Sequence, residues 1–573
     1  MGNWPFYFRF LPIKLQQIRC FYKRWLQCIA YMALYWAFLY PVQVVAQQRG
    51  MLSGNLEANG NFFIRDTLIG AGNTPQYDYQ LYGADAWLNL VYACSGDFEA
   101  AVRFDLFQNS NLLNPTGSYT DQGIGRWYLR KQIGKLDLTG GYIYDQIGSG
   151  IVFRAYEERP LAIDNALYGL RLAYQLSPNW QIRAFTGRQK QQFDAYASSI
   201  RAMAIDGFWT SDSSSLTLVP GIGMVSRTID DASVNLLTAE LATYEEADRF
   251  VPHYNTYAVS LYNTLTAGPV VWYVEGAWKS ADVMFDPFAP RITSNGDTLV
   301  GKYYSADGAV IYSSFSYAQG KLGLTIEGKY TEHFEFRTRP QESANRGLIN
   351  YLPPMTRVNT YRLTARYNAA TQFLGEYAWQ ADFRYAHSRK LQFNFNISNL
   401  TTLEQELLYR ELVAEMTYKY KRQWQLIAGI QRQQYNQEVY EVKPGVPLVQ
   451  TITPYFDFLY KLSRRKAIRV EGQYMATQQD YGSWAFALLE WTWAPHWAFT
   501  ISDMYNVQPQ KTFDAAGNPL PIHYPRIDVY YTQGPNRFSI SYVKQVEGVV
   551  CSGGICRLEP AFSGVKVTVN SSF

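Results

Sequence analysis

The side chains able to do chemistry are few and scattered. Five histidines, His253, His333, His387, His496 and His523, form no HExxH pair, and no GxSxG elbow surrounds a serine. His496 and Ser502 share one strand-like stretch, but six residues of extended chain separate them by about 20 Å, too far for a nucleophile and its base. No enzyme, metal or cofactor is expected. Cys551 and Cys556 enclose Ser552-Gly-Gly-Ile555. In an exported protein this spacing predicts a disulfide closing a small loop. A metal pair is the weaker reading, since two thiols with no nearby His or third Cys make a poor ligand set. Cys94 is left over as a free thiol.

The densest charge cluster is Tyr144–Gly169, with Arg154, Glu157, Glu158, Arg159, Asp164 and Asn165 set among Ile151, Val152, Phe153, Leu161 and Ile163. That mixture suits a loop folded into a cavity, its charges paired with the walls. The plainer alternative is a solvated loop, and a ligand site there is the narrowest reading of the three. Alternating charges elsewhere (Arg103 and Asp105, Glu327 and Lys329, Asp382 and Arg384, Arg469 and Glu471) are read first as salt bridges on a wall, and second as determinants of ion selectivity.

The elements that must carry these residues alternate with a period of two. Phe98, Ala100, Val102, Phe104 and Leu106 oppose Glu99, Arg103 and Asp105. Leu391, Phe393, Phe395 and Ile397 oppose Gln392, Asn394, Asn396 and Ser398. Stretches around 322–330, 377–385 and 468–474 behave likewise. Successive side chains of a strand point to opposite faces, so each stretch has one apolar and one polar side. Strands of about ten residues with this pattern are the signature of a barrel in lipid, weak singly and strong in bulk. Tight turns such as Ser177-Pro-Asn179, Ala494-Pro-His496 and Gly534-Pro-Asn536 alternate with long polar stretches at 64–78, 108–122, 226–250, 281–300, 435–449 and 507–522. A soluble sandwich has no reason to place short links at one end and long ones at the other.

Composition agrees. Charged residues make up 17% and aromatic residues 16%, with 46 Tyr and 15 Trp, against about 25% charged in an average chain. The net charge of +4 gives no footprint for nucleic acid. Residues 1–46 read as a signal peptide: Arg9, Lys14, Arg19, Lys23 and Arg24 precede an apolar run ending in Val44-Val-Ala46. A retained membrane helix is the rival. No later run reaches the length of a spanning helix, so a mature protein in a membrane is a barrel. No plug domain is expected ahead of the first strand, which argues against a TonB-dependent receptor.

The chain ends in Val565-Lys-Val-Thr-Val-Asn-Ser-Ser-Phe573. Val565, Val567, Val569 and Phe573 share one parity, and a strand ending on an aromatic carboxyl terminus is similar to the signal recognised by barrel-insertion machinery. Counting forward gives thirteen strands to residue 332. Counting back from Phe573 gives twelve to about 357. Antiparallel pairing then demands a strand within 333–356. The expected fold is one all-β transmembrane antiparallel barrel over 47–573, of about 26 strands (range 22–28).

Gly148-Ser-Gly150, Phe153–Arg159 and Ile163–Gly169, with Gly54–Asn59 near the start and Gly553–Arg557, Pro560 and Ser571-Ser-Phe573 at the end, resemble an uncharacterised outer-membrane barrel family of Bacteroidota. The resemblance spans essentially the whole mature chain. It implies an outer-membrane barrel of unknown function and adds no mechanism. The partners expected are outer-membrane lipid, the insertion machinery and other envelope proteins. The functional expectation is a structural or partner-binding barrel; a passive channel for small solutes is the alternative, and the two differ in whether the lumen is open.

Overall fold

The computed structural model describes residues 50–94, 97–211, 215–552 and 555–573, with backbone alone at 550–552. The predicted signal peptide lies outside the described residues. Among them, 24 antiparallel strands form a closed ring, and two short extra strands, Asp194–Ala195 and Trp209–Thr210, extend its rims. The ring closes where the first strand, Met51–Phe63, pairs with the last, Phe562–Ser572, in the register Asn61 to Lys566 and Ala58 to Val569. Closure gives every strand of the ring a partner on both sides along the wall.

Alternation decides which side of each strand meets which environment. In strand Phe98–Ser110, Phe104 and Leu106 are 44% and 38% exposed on the outside, while Arg103 and Asp105 are 2% and 4% exposed within. In strand Leu391–Thr401, Phe395 and Ile397 face out and Asn396 and Ser398 face in. The outer surface is thus apolar all round, and water-facing packing cannot account for it. Val565, Val567 and Val569 lie in register with Tyr542, Ile540 and Phe538, three exposed residues, so they share the outer face. Phe573 is also exposed. Its backbone exchanges two hydrogen bonds with Gly54, at 2.8 and 3.0 Å, and its ring covers that glycine so closely that any Cβ there would collide with it. This is aromatic cover of a strand glycine at the seam.

Two expectations are corrected. Thirteen strands do end by Glu332, but only eleven, not twelve, follow, beginning with Gly375–Tyr385. No strand lies within 333–356; parity is satisfied because Glu332 and Gly375 are direct register partners. The 42 intervening residues leave the wall altogether. The supposed loop 281–300 is also mostly strand: Val270–Ile292 and Thr298–Gln319 pair to their tip, Ile292 opposite Thr298. That hairpin outruns the partner on either side, for Val270–Ile292 loses its other neighbour beyond Lys279. Beyond that point there is no lipid face to enforce alternation, and Pro287 and Pro290 lie beside a register shift.

Candidate functional site

The buried core of this barrel lies inside the ring, and two loop segments build it. The first is 144–166, which links strands Leu136–Ile143 and Leu167–Ser177. Ile147, Ile151, Val152 and Phe153 are fully buried, which their apolar character drives. The second is 333–374, which contributes Phe334, Phe336, Ile349, Leu352, Met355 and Leu363 to the same core. Backbone bonds splice the two together: Arg154 N–H donates to the Ile349 carbonyl and Tyr351 N–H to that of Gly150, both at 2.9 Å.

Each charge singled out in 144–166 has a definite place. Arg154 stacks between Tyr156 and Tyr351, at 4.5 and 4.1 Å from their centroids. Glu157 pairs with Arg103 at 2.8 Å and Arg159 at 2.7 Å. Glu158 pairs through its backbone with Ile163 and joins no ion pair among the described residues. Arg159 reaches Glu57 of the first strand at 2.6 Å and lies over Trp87. Asp164 accepts from Arg103 at 2.7 Å, from the Tyr144 hydroxyl at 2.6 Å, and from Lys190. Asn165 caps the splice: its Oδ1 accepts from Tyr156 N–H at 2.6 Å, and its Nδ2 donates to the Arg154 and Leu348 carbonyls. Burial alone would raise the Asp164 pKa, but Lys190 and Arg103 outweigh it and hold the carboxyl at about 2. Arg103, Lys190 and Arg159 together face Asp105, Asp164, Glu157 and Glu57, so the cluster is close to neutral.

The longer segment is tied to walls on opposite sides. Gln189, in the seventh strand of the ring, donates to the Leu348 carbonyl at 2.6 Å. Gln473, in the nineteenth, accepts from Leu363 N–H at 2.7 Å. Twelve strands apart in a ring of 24 is half the circumference, so 333–374 bridges the lumen. Between those points Arg227 holds the Arg337 carbonyl, Lys279 that of Glu335, Lys329 that of Pro353 and Gln433 that of Tyr367. Arg357 pairs with Glu415 at 2.9 Å. Arg366 lies over Trp484, Tyr481 and Tyr367, with Asp480 at 4.0 Å.

The family assignment follows. Residues 22–573 match the model of a family of unknown function, DUF6029. The chain belongs to that family. No curated protein matches it. Among solved structures, it is similar to a mutant of the ferric enterobactin receptor PfeA of Pseudomonas aeruginosa (8% identity, TM-score 0.41, covering 92% of this chain and 81% of that one). The siderophore receptor PirA from the same organism gives 10%, 0.38, 92% and 81%. The E. coli P pilus tip assembly intermediate PapC-PapD-PapK-PapG gives 10%, 0.47, 93% and 62%.

In this DUF6029 chain two cavities flank the in-folded segments. One, of about 380 Å³, lies between 144–166, the wall at Trp87 and Phe107, and the loop at Leu112–Ser118. Of the cations that line it, Arg103, Arg159 and Lys190 are spent on the carboxylates described above. The other, of about 360 Å³, lies between Arg362 and the wall formed by the four strands from Gly482 to Gln545. Arg357, Arg362 and Arg366 went unnoticed in the sequence. The backward count places a strand from about residue 357 over them, yet no strand lies between Glu332 and Gly375, and 42 residues without clean alternation are themselves a signal of buried, irregular chain. No group of three or more His, Cys, Asp or Glu is placed to hold a metal among the described residues.

Proposed function

We propose that this is an outer-membrane barrel of Bacteroidota type, exported on a signal peptide over 1–46, whose lumen is occupied by its own loops and which docks or binds envelope partners instead of passing solutes freely. The observation that carries the reading is segment 333–374, which joins opposite walls: the Leu348 carbonyl accepts from Gln189 and Leu363 N–H donates to Gln473. An open porin has no use for a bridge across its water column. The bridge is also not a separate domain: it leaves and re-enters the wall at adjacent register partners. The apolar exterior supports a lipid setting, and no described helix is long and apolar enough to cross a membrane. The proposed role is a non-enzymatic one. The test is conductance of the purified protein in a planar bilayer. A silent barrel is expected; stable large openings at neutral pH would instead establish the passive channel.

The terminal strand extends this reading to biogenesis: Val565, Val567, Val569 and Phe573 form the outward apolar row that insertion machinery would engage. Phe573→Ala keeps the two backbone bonds to Gly54 and removes only the ring. In cells it is expected to lower the amount of heat-modifiable, assembled barrel several-fold, while refolding into detergent micelles proceeds as before. Equal assembly in cells would remove the signal role.

Cys551 and Cys556 stand opposite one another in the hairpin formed by strands Gly548–Ser552 and Ile555–Glu559. The Cys551 side chain lies outside the described atoms, so the disulfide is a proposal resting on this register and on export. Without reductant, an alkylating reagent is expected to label Cys94, which is a free thiol, and to spare Cys551 and Cys556 until a reductant is added. Labelling of all three under oxidising conditions would count against the bond.

A further inference from the structure

The cavity beside Arg362 is built on a regular lumenal grid. Across four adjacent strands, one row in register reads Glu490, Thr500, Asp528, Ser541, and the closing strand continues it with Lys566. The next row reads Leu488, Ser502, Arg526, Val543. Phe486, Met504 and Tyr524 cover the end of the cavity nearer the long loops, and Tyr530 and Arg537 the other.

The charges of this grid do not balance. Asp528 is taken up by Arg526, whose Nε lies 2.9 Å from both carboxylate oxygens, and by the Ser541 hydroxyl at 2.6 Å. Lys544 is paired with Asp66 at 2.8 Å. Glu490 accepts from Thr492 and has Arg469 at 3.9 Å. Three cations remain. Arg537 rests on the Tyr530 ring at 4.7 Å, and Lys566 on the Phe562 ring at 4.3 Å. Arg362 has no hydrogen bond or ion pair among the described residues. It is exposed to the water of the cavity, yet the walls enclose it. Many other lumenal cations, such as Arg103, Lys190, Arg227, Lys279 and Lys329, are matched by carboxylates or donate to carbonyls. Here positive charges converge on a space large enough for a small molecule, next to an apolar wall. Like charges gathered in a concave, poorly screened enclosure repel unless an anion joins them.

We propose that this cavity binds a small organic anion, its carboxylate or phosphate group held between Arg362 and Arg537, with the charge of Lys566 close behind the wall, and its apolar frame laid against Phe486, Leu488 and Met504. The site rests on the occupied-lumen reading, because Arg362 arrives on the bridging segment. The bridge brings the cation and the wall brings the rest, so seating the bridge completes the pocket.

The test is titration calorimetry on the full barrel in detergent, with benzyl phosphate, phenylacetate, inorganic phosphate and benzyl alcohol as probes. One or both organic anions are expected to bind at least about tenfold more tightly than the neutral alcohol and than inorganic phosphate, and their order tells a phosphate site from a carboxylate site. R362Q and R537Q are each expected to weaken binding about tenfold, as loss of one charge-assisted contact should. K566Q, which removes a nearby charge that does not line the cavity, is expected to weaken it less, and heat-modifiable mobility reports folding. Alcohol binding equal to that of the anions, or R362Q binding like the parent, overturns the site. Inorganic phosphate binding as tightly as benzyl phosphate overturns the organic frame. Bilayer recording on the same preparation separates the two readings: a silent barrel that binds no anion sinks the pocket alone, whereas an open barrel sinks the occupied lumen.

Discussion

Replacing residues 335–372 with a short Gly/Ser turn should convert a silent barrel into one with long-lived, large openings. The wall is expected to survive the excision. Glu332 and Gly375 are already register partners, and His333 and Phe334 N–H donate to the Leu374 and Phe373 carbonyls at 3.0 and 2.9 Å, so the neck of the segment is narrow enough for a tight turn to close. Excision removes the apolar residues Phe336, Ile349, Leu352, Met355 and Leu363 from the core and leaves the lumenal side chains of the wall to water. Most of these, such as Gln189, Gln433, Gln473 and Glu415, are polar and tolerate hydration. The buried cations Arg227, Lys279 and Lys329 lose a carbonyl partner each but keep Asp282 or Glu376. Single-channel recording checks the outcome, with heat-modifiable mobility as the folding control. A folded variant that stays silent would show that other loops suffice to block the pore, and would take from 333–374 the role assigned to it.

How far the chain could be read before its structure depended on what each side chain faces. Wherever lipid lies on one side and protein or water on the other, the period of two is enforced, and strands such as Phe98–Ser110 and Leu391–Thr401 were legible with the correct face outward. The turns at Ser177-Pro-Asn179 and Gly534-Pro-Asn536 were legible for the same reason: they must reverse the chain in two residues. Segment 333–374 obeys neither constraint. Phe334 and Phe336 look like half a strand, but both are buried among in-folded loops, and Pro340, Pro353 and Pro354 deny it a ladder. Its apolar residues answer to neighbours far away in sequence, which periodicity does not record. Arg362 was invisible on the same ground, since a lone arginine acquires meaning only when a distant wall supplies Lys566 and Arg537. The charges of 144–166 stood out because they are dense, and the structure gives nearly every one a partner. The chemistry of the 360 Å³ cavity lies in what lacks a partner, and only coordinates reveal that.

Acid should loosen the lumen in a defined window. Asp164 anchors 144–166 through Arg103, Lys190 and Tyr144, with Asp105 and Glu157 the other carboxylates around it. Its folded pKa of about 2 lies below the 3.8 of an unperturbed Asp. A carboxyl whose folded pKa is depressed binds its proton more readily in the unfolded chain. Its stabilisation is therefore fully present above about pH 4 and is lost as pH falls toward and through about 2. The gap between these two values corresponds to about 2 kcal/mol, enough to change the population of a released loop by more than tenfold. Asp480, which holds Tyr367 and Arg366 of the bridging segment, is shifted the same way: burial opposes the shift, but Arg366 and Lys511 outweigh it. Both in-folded segments thus lose an anchor together. In a bilayer, transient openings should be rare at pH 7 and rise steeply between about pH 4 and pH 2. Asp164→Asn should open at neutral pH to an extent the parent reaches only in acid, and should flatten part of the acid response, because the group that titrates has gone while Arg103 and Lys190 stay charged. If the variant kept the parent's full pH dependence, the anchoring role of Asp164 would be wrong. If openings rose toward alkaline pH instead, the lumen would be held by groups that lose protons, and carboxylate anchors would not be the fastening of this lumen.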